Sequence, residues 1–242
     1  MLSAVRKKEL KKLLKVLDVQ TNDIELFDIA LTHPSFNFET NNQSGKDYER
    51  LEFLGDSVVR LVSSNYLYEK YPDFDEGNLT KIRSYIVSDE FFAQVALGFE
   101  VNKYLNIGIH EEKTGGRKKE SILACAMEAI YGAIYKTNGF ECAEKFICNI
   151  YDNSDININN ILHLYNSKEM LQQYTQSINK DLPEYKIVEE CGKDHNKTYT
   201  VSAIYRGEEL GSGSAKTKKE AEKQAALQAL KKLKLIEDYN EK

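Results

Sequence analysis

Glu49, Glu52 and Asp56 stand at i, i+3 and i+7 within residues 48–71, YERLEFLGDSVVRLVSSNYLYEKY. At about 100° per residue they fall within about 60° of arc, so a helix here presents three carboxylates on one face. Leu51, Leu54, Val58, Leu61 and Val62 fall on the other side and form the expected buried stripe. Glu52 and Asp56 are like charges four residues apart, which costs an isolated helix about 0.2–0.5 kcal/mol. A divalent cation offsets that repulsion, because carboxylate oxygens are the ligands Mg²⁺ takes. A plain solvated acidic face is the other reading of the same residues. Phe53, on the acidic side, marks a partner surface. Gly55 costs about 1 kcal/mol relative to Ala inside a helix and marks close approach by another backbone. A further acid, Glu128, is the one carboxylate in residues 121–136, SILACAMEAIYGAIYK. Among small apolar residues, a carboxylate is paired or binds metal.

The rest of the chain must position these groups. Residues 4–17 carry Leu and Val at helical spacing among lysines, and residues 23–30 give a second, short helix. His33, in Leu31-Thr32-His33-Pro34-Ser35, reads as a structural hydrogen-bonding residue. Residues 37–46 are polar and read as a loop. Tyr71-Pro72-Asp73 stops the acidic helix, and Glu76-Gly77-Asn78 reads as a turn. Helical patterns follow over 79–87 and 89–97, the second capped by Ser88. Residues 110–120, HEEKTGGRKKE, read as a charged loop. From 152 to 166 the composition shifts to Asn, Asp and Ser, as in a linker. Beyond it the period changes. Residues 168–178 are helical, and 198–205 alternate with Tyr199, Val201, Ala203 and Tyr205 on one face. Arg206-Gly207-Glu208 forms a hairpin turn into a strand through Leu210 and Ser212. Thr217 and Glu220 form a capping box for a last helix that packs Ala221, Ala225, Ala229, Leu230 and Leu233.

A chain of 242 residues, 41% hydrophobic, suits one large domain or two modest ones. No apolar run approaches about 18 residues and no leader pattern opens the sequence, so a soluble, cytoplasmic protein without membrane association is expected. Cys125, Cys142, Cys148 and Cys191 lack metal-type spacing and read as free thiols. The net charge of −5 divides unevenly: residues 1–162 carry 19 Lys and Arg against 25 Asp and Glu, and residues 163–242 carry 14 against 13. Any grip on a polyanion must therefore rest on local clusters of basic groups.

Residues 49–58, ERLEFLGDSV, resemble the nuclease-domain signature of the ribonuclease III family, and residues 31–35 resemble the element preceding it. The helix, three strands and helix after residue 167 resemble a double-stranded RNA-binding domain. The resemblance implies a multidomain fold. An all-α nuclease domain (1–152) and a linker (153–166) precede an α+β, α-β-β-β-α, double-stranded RNA-binding domain (167–236). It further implies Asp56 and Glu128 as catalytic acids, Glu52 and Glu128 as metal ligands, and Glu49 and Glu76 as supporting acids, Glu76 through water. The cofactor it implies is Mg²⁺, with Mn²⁺ able to substitute. Where the family carries an Asp ligand, this sequence has Cys125. Phe53 would plug a second copy in a homodimer paired through the signature helices. Gln172, Gln176 and His195 would meet minor grooves, and Lys216, Lys218 and Lys219, at a helix N-terminus, would clamp phosphate.

The function expected from the resemblance is an endoribonuclease that hydrolyses double-stranded RNA with a divalent metal, as in processing of rRNA precursors, mRNA and other structured RNA. The alternative is a dimeric double-stranded RNA-binding protein whose catalysis is impaired because Cys125 stands at a ligand position.

Overall fold

Ser3 opens the first helix by accepting from the Arg6 N–H (3.1 Å), and α1 (Ala4–Val16) follows, with Leu10, Leu13 and Leu14 buried. Asp23 likewise caps α2 (Ile24–Ala30), and α3 (Pro34–Thr40) comes next. The acidic helix is α4 (Glu49–Lys70); after it come α5 (Glu76–Ile86), α6 (Asp89–Gly98) and α7 (Ile109–Lys113). The unit closes with α8 (Glu120–Asn138) and α9 (Phe140–Asn153). In this computed structural model, residues 2–40, 45–192 and 197–236 are described, and the chain divides into the units Met1–Ile156 and Asn157–Lys242.

The first unit is built around α8, whose residues from Ile122 to Ile134 are buried almost without interruption. A helix apolar on all sides must be surrounded, and α4, α6 and α9 do so. Tyr131 of α8 packs edge-on against Phe92 of α6, and the Ser63 hydroxyl of α4 meets the Tyr151 hydroxyl of α9 at 2.6 Å. Gly55 is where α4 and α8 cross. A Cβ there would overlap the Glu128 carbonyl, and one at Gly132 would overlap that of Leu51. The two helices therefore touch backbone to backbone, one residue from Asp56 on one side and at Glu128 on the other. We predict that Gly55→Ala destabilises this unit by about 3 kcal/mol, near the upper end for overpacking, because backbone rather than a side chain must move. Thermal unfolding checks this; an unchanged midpoint would mean the helices can separate freely.

The second unit places α10 (Ile158–Asn179) and α11 (Lys218–Lys232) against an antiparallel sheet of order β1-β2-β3. Its strands are β1 (Glu184–Cys191), β2 (Thr198–Tyr205) and β3 (Glu208–Ala215). Arg206 (φ 52°) and Gly207 (φ 84°) both turn left-handed, the backbone a two-residue hairpin requires. Leu171, Ala203, Leu210, Ala225, Ala226, Ala229 and Leu230 form the core. Thr217 caps α11, its Oγ1 accepting from the Glu220 N–H at 3.2 Å.

Several expectations shift. Leu61 belongs to the exposed side of α4, at 60% exposure, because the helix buries Val58, Val59 and Val62 and turns Leu61 past the edge of that stripe. Residues 37–40 continue α3, Glu76-Gly77-Asn78 is the first turn of α5 under an Asp75 cap, and residues 109–113 are helical. In the stretch read as a charged loop, Glu111 pairs with Lys119 (2.5 Å) and Glu112 with Arg117 (2.7 Å), so its charges are largely spent on each other. Residues 158–166, expected within a linker, are the first turns of α10, where Asn157 supplies the cap and Ile161 is buried. No helix among the described residues is long and apolar enough to cross a membrane.

Candidate active site

The α4–α8 crossing gathers the acids that α4 presents and the one that α8 buries. Glu49, Glu52, Asp56 and Glu128 line one pocket of about 510 Å³ together with Phe53 and Arg60. Asp56 is held by Arg60, one turn on, with Nε to Oδ1 at 2.6 Å. Burial pushes the Glu128 carboxyl up to about 8, and the negative charges of Asp56, Glu52 and Asp89 add to the rise. Glu52 is raised by burial too, and a hydrogen bond from Cys125 opposes that rise. Four carboxylates with one guanidinium among them concentrate negative charge, and their hard oxygens are by type the donors a divalent cation takes. Among the described residues, no three His, Cys, Asp or Glu side chains converge closely enough to hold an ion.

Cys125 lies beside this pocket and outside its lining. Burial, and after it Glu52, push its thiol up to about 12, so it meets Glu52 as a neutral S–H donor. Behind it stands Tyr48, 5% exposed, whose hydroxyl also hydrogen-bonds Cys125 and whose pKa burial raises far above the usual range. Tyr48 immediately precedes α4, so the chain Tyr48, Cys125, Glu52 ties the start of α4 to α8. Glu76 is placed elsewhere: it begins α5 and accepts from the Thr80 hydroxyl at 3.0 Å, outside the pocket lining. His33 takes the structural role expected of it. Its Nδ1 accepts from the Ser35 N–H at 3.1 Å, its ring meets Tyr48 edge-on, and burial lowers its pKa.

Sequence reading missed Arg60, Asp89 and Tyr48. Arg60 sits at i+4 from Asp56 and was the detectable one. Asp89 opens α6 after its Ser88 cap and reads locally as a first-turn acid, yet its charge reaches Glu52, Cys125 and Glu128. Phe53 is 78% exposed, and Leu61 and Tyr68 are two further exposed large apolar side chains of α4.

In the second unit, Lys218 and Lys219 open α11, with Lys216 just before the Thr217 cap. Lys218 stands over the Tyr199 ring and 3.7 Å from Glu190, which also pairs with Lys197 at 3.1 Å. Gln172 and Gln176 are both exposed on α10 at i, i+4. His195 lies outside the described residues.

Residues 23–154 match the family model described as Ribonuclease-III-like, and residues 167–233 match the double-stranded RNA binding motif. A protein named Ribonuclease 3 from Borreliella afzelii is 40% identical over 236 residues, covering 97% of this chain and 94% of that one. Another of that name, from Treponema denticola, is 38% identical, covering 94% of this chain and 92% of the relative. The nuclease domain of ribonuclease III from Campylobacter jejuni superimposes with a TM-score of 0.56 at 37% identity, over 60% of this chain and 98% of that one. Nothing in these likenesses favours a binding protein without catalysis. With a nuclease model and an RNA-binding model matched in order along it, the chain belongs to the ribonuclease III family of double-stranded-RNA endoribonucleases, which require a divalent metal.

Proposed function

We propose that the pocket at the α4–α8 crossing is where this endoribonuclease cuts double-stranded RNA, using Mg²⁺, or Mn²⁺ in its place. The observation that carries this reading is the single pocket lined by Glu49, Glu52, Asp56 and Glu128. Glu52 and Glu128 would hold the metal, with Glu49 supporting them from the same face. When bound, the metal supplies an activated water and neutralises charge on the phosphate. Asp56, kept in place by Arg60, orients the attacking water and takes up its proton. Cys125 steadies Glu52 through its S–H. Glu76 is left as a supporting acid that would act through water.

The exposure of Phe53, Leu61 and Tyr68 on α4 supports a homodimer paired through that helix. Dimer formation is also spoken of in the description of the Campylobacter jejuni nuclease domain. The second unit would hold the duplex by shape, with Gln172, Gln176 and His195 at minor grooves and Lys216, Lys218 and Lys219 on phosphates. Processing of rRNA precursors and mRNA in the cytoplasm is the setting we infer. Incubation of a long duplex with the full chain and Mg²⁺ tests the reading: short duplex products are expected, and an intact duplex would refute it. Replacing both Lys218 and Lys219 by Ala should weaken binding to all duplexes alike and lower the salt slope by about 1 for each phosphate no longer neutralised. A salt slope equal to that of the parent would rule out the clamp.

A further inference from the structure

We propose that Arg60 binds a phosphate oxygen of the strand being cut, and so acts as a positioning residue for the scissile bond. The proposal rests on the pocket being the cleavage site. Arg60 is the one basic side chain among those lining this pocket, whose other polar members are Glu49, Glu52, Asp56 and Glu128. Four carboxylates repel an RNA backbone, so the local charge of the right sign is the guanidinium. Its Nε is engaged by Asp56 at 2.6 Å, and among the described residues neither η nitrogen has a hydrogen-bond partner. A guanidinium is planar and carries five N–H donors. With Nε committed to a carboxylate, its other edge still offers two parallel donors of the geometry that matches a phosphate.

The ion pair has little to do as a stabiliser. The arginine side chain is 58% exposed and four residues along the same helix from its partner, and exposed pairs of that kind add little. What the pair does is fix the direction of a long, flexible side chain at the pocket rim. The ordering cost of the fork is then met before RNA arrives. Asp56 and the phosphate would be bridged by one rigid group, which places the attacking water and the bond it attacks in a common frame. The charge of Arg60 also reaches Glu128 across the pocket, where it opposes the effect of the neighbouring acids.

The test compares the full chain with Arg60→Ala and Arg60→Lys. Each is assayed at metal levels that Mn²⁺ titration of the RNA-free protein shows to be saturating for that variant. Duplex affinity is measured in Ca²⁺, and oligomeric state by sedimentation. Arg60→Ala should lower the single-turnover rate at saturating protein about 10- to 100-fold, as expected when a charge-assisted hydrogen bond is removed. Duplex affinity should fall only by the small share of one phosphate contact, because the second domain provides most of them, and oligomeric state should stay unchanged. Arg60→Lys should recover part of the rate as a point charge without the fork. Three outcomes overturn the proposal while leaving the cleavage site itself in place. One is an Arg60→Ala rate equal to or above the parent's, which makes Arg60 a mere cover on Asp56. Another is dissociation of the variant, which makes Arg60 an interface residue. The third is equal loss in both variants, which removes any part for charge at this position. If the parent protein itself fails to cut, it is the assignment of the site that falls.

Discussion

Glu128→Gln should slow cleavage by orders of magnitude while making the metal-free protein more stable. Glu128 is the acid that α8 buries at the helix crossing, and burial together with Asp56, Glu52 and Asp89 pushes it up to about 8. A folded-state value above that of the unfolded chain means that the protonated form is favoured by folding. The stability this contributes is fully present below about 4.5 and is lost as pH rises through about 8. Above that range the metal-free protein carries an ionised, half-buried carboxylate among like charges. Gln keeps the shape and removes the charge. Discounted for solvent screening, the gain at pH 8 is on the order of 1 kcal/mol, or about 2–4 °C in the melting temperature of this unit. At pH 4.5 the two proteins should melt together. Cleavage in saturating Mg²⁺ should fall roughly 10³-fold, since a metal ligand contributes several kcal/mol to the transition state. Melting in EDTA across pH, beside single-turnover cleavage, checks both halves. A variant that is active, or one that is less stable at pH 8, contradicts this assignment of Glu128.

Cys125→Asp should raise Mg²⁺-dependent cleavage roughly 10²-fold, about 3 kcal/mol, by adding a charged oxygen ligand beside Glu52. The thiol as it stands is pushed up to about 12 and hydrogen-bonds Glu52, so it offers neutral sulfur to an ion that takes hard oxygens. Mn²⁺, less strictly oxygen-selective, should recover part of that difference in the parent protein. The Tyr48 hydroxyl that now meets the thiol would meet the new carboxylate, so the local hydrogen bonding survives the change. Duplex affinity should barely move. Equal Mg²⁺ rates for the parent and Cys125→Asp would show that position 125 takes no part in holding metal. The site would then rest on Glu49, Glu52, Asp56 and Glu128 with Cys125 only as a prop for Glu52.

Much of this site is legible in the sequence because its information is local. Acids at i, i+3 and i+7 share a helix face whatever the tertiary fold, and a lone acid in an apolar helix must be matched by something. Gly55 announces a close approach, and its neighbour proves to be the backbone of Glu128. What escapes depends on how helices cross. Asp89 is a commonplace first-turn acid until α6 is laid against α8, and Tyr48 looks like a preface to α4 until its hydroxyl is seen at Cys125. Leu61 falls outside the core because a five-residue stripe is wider than the face α4 actually buries. The helix beginning at Ile158 is hidden by Asn-rich composition, which resembles a linker but here supplies a cap and polar outer positions. In the second unit, period and turn chemistry suffice for the β2–β3 hairpin and α11, which Arg206-Gly207 and the Thr217 cap punctuate where the sequence places them, but β1 carries no such local signal.

Titration of Mn²⁺ into the RNA-free full chain, followed by water-proton relaxation, tests most directly whether the carboxylates at the α4–α8 crossing hold the metal, and it does so without relying on activity. The parent should bind Mn²⁺, more tightly as pH rises through about 8 because binding must displace the Glu128 proton. A variant carrying both Glu52→Gln and Glu128→Gln, shown folded by its thermal transition, should leave the ion free. Mn²⁺ binding of equal strength in parent and double variant would place the metal elsewhere and contradict the account.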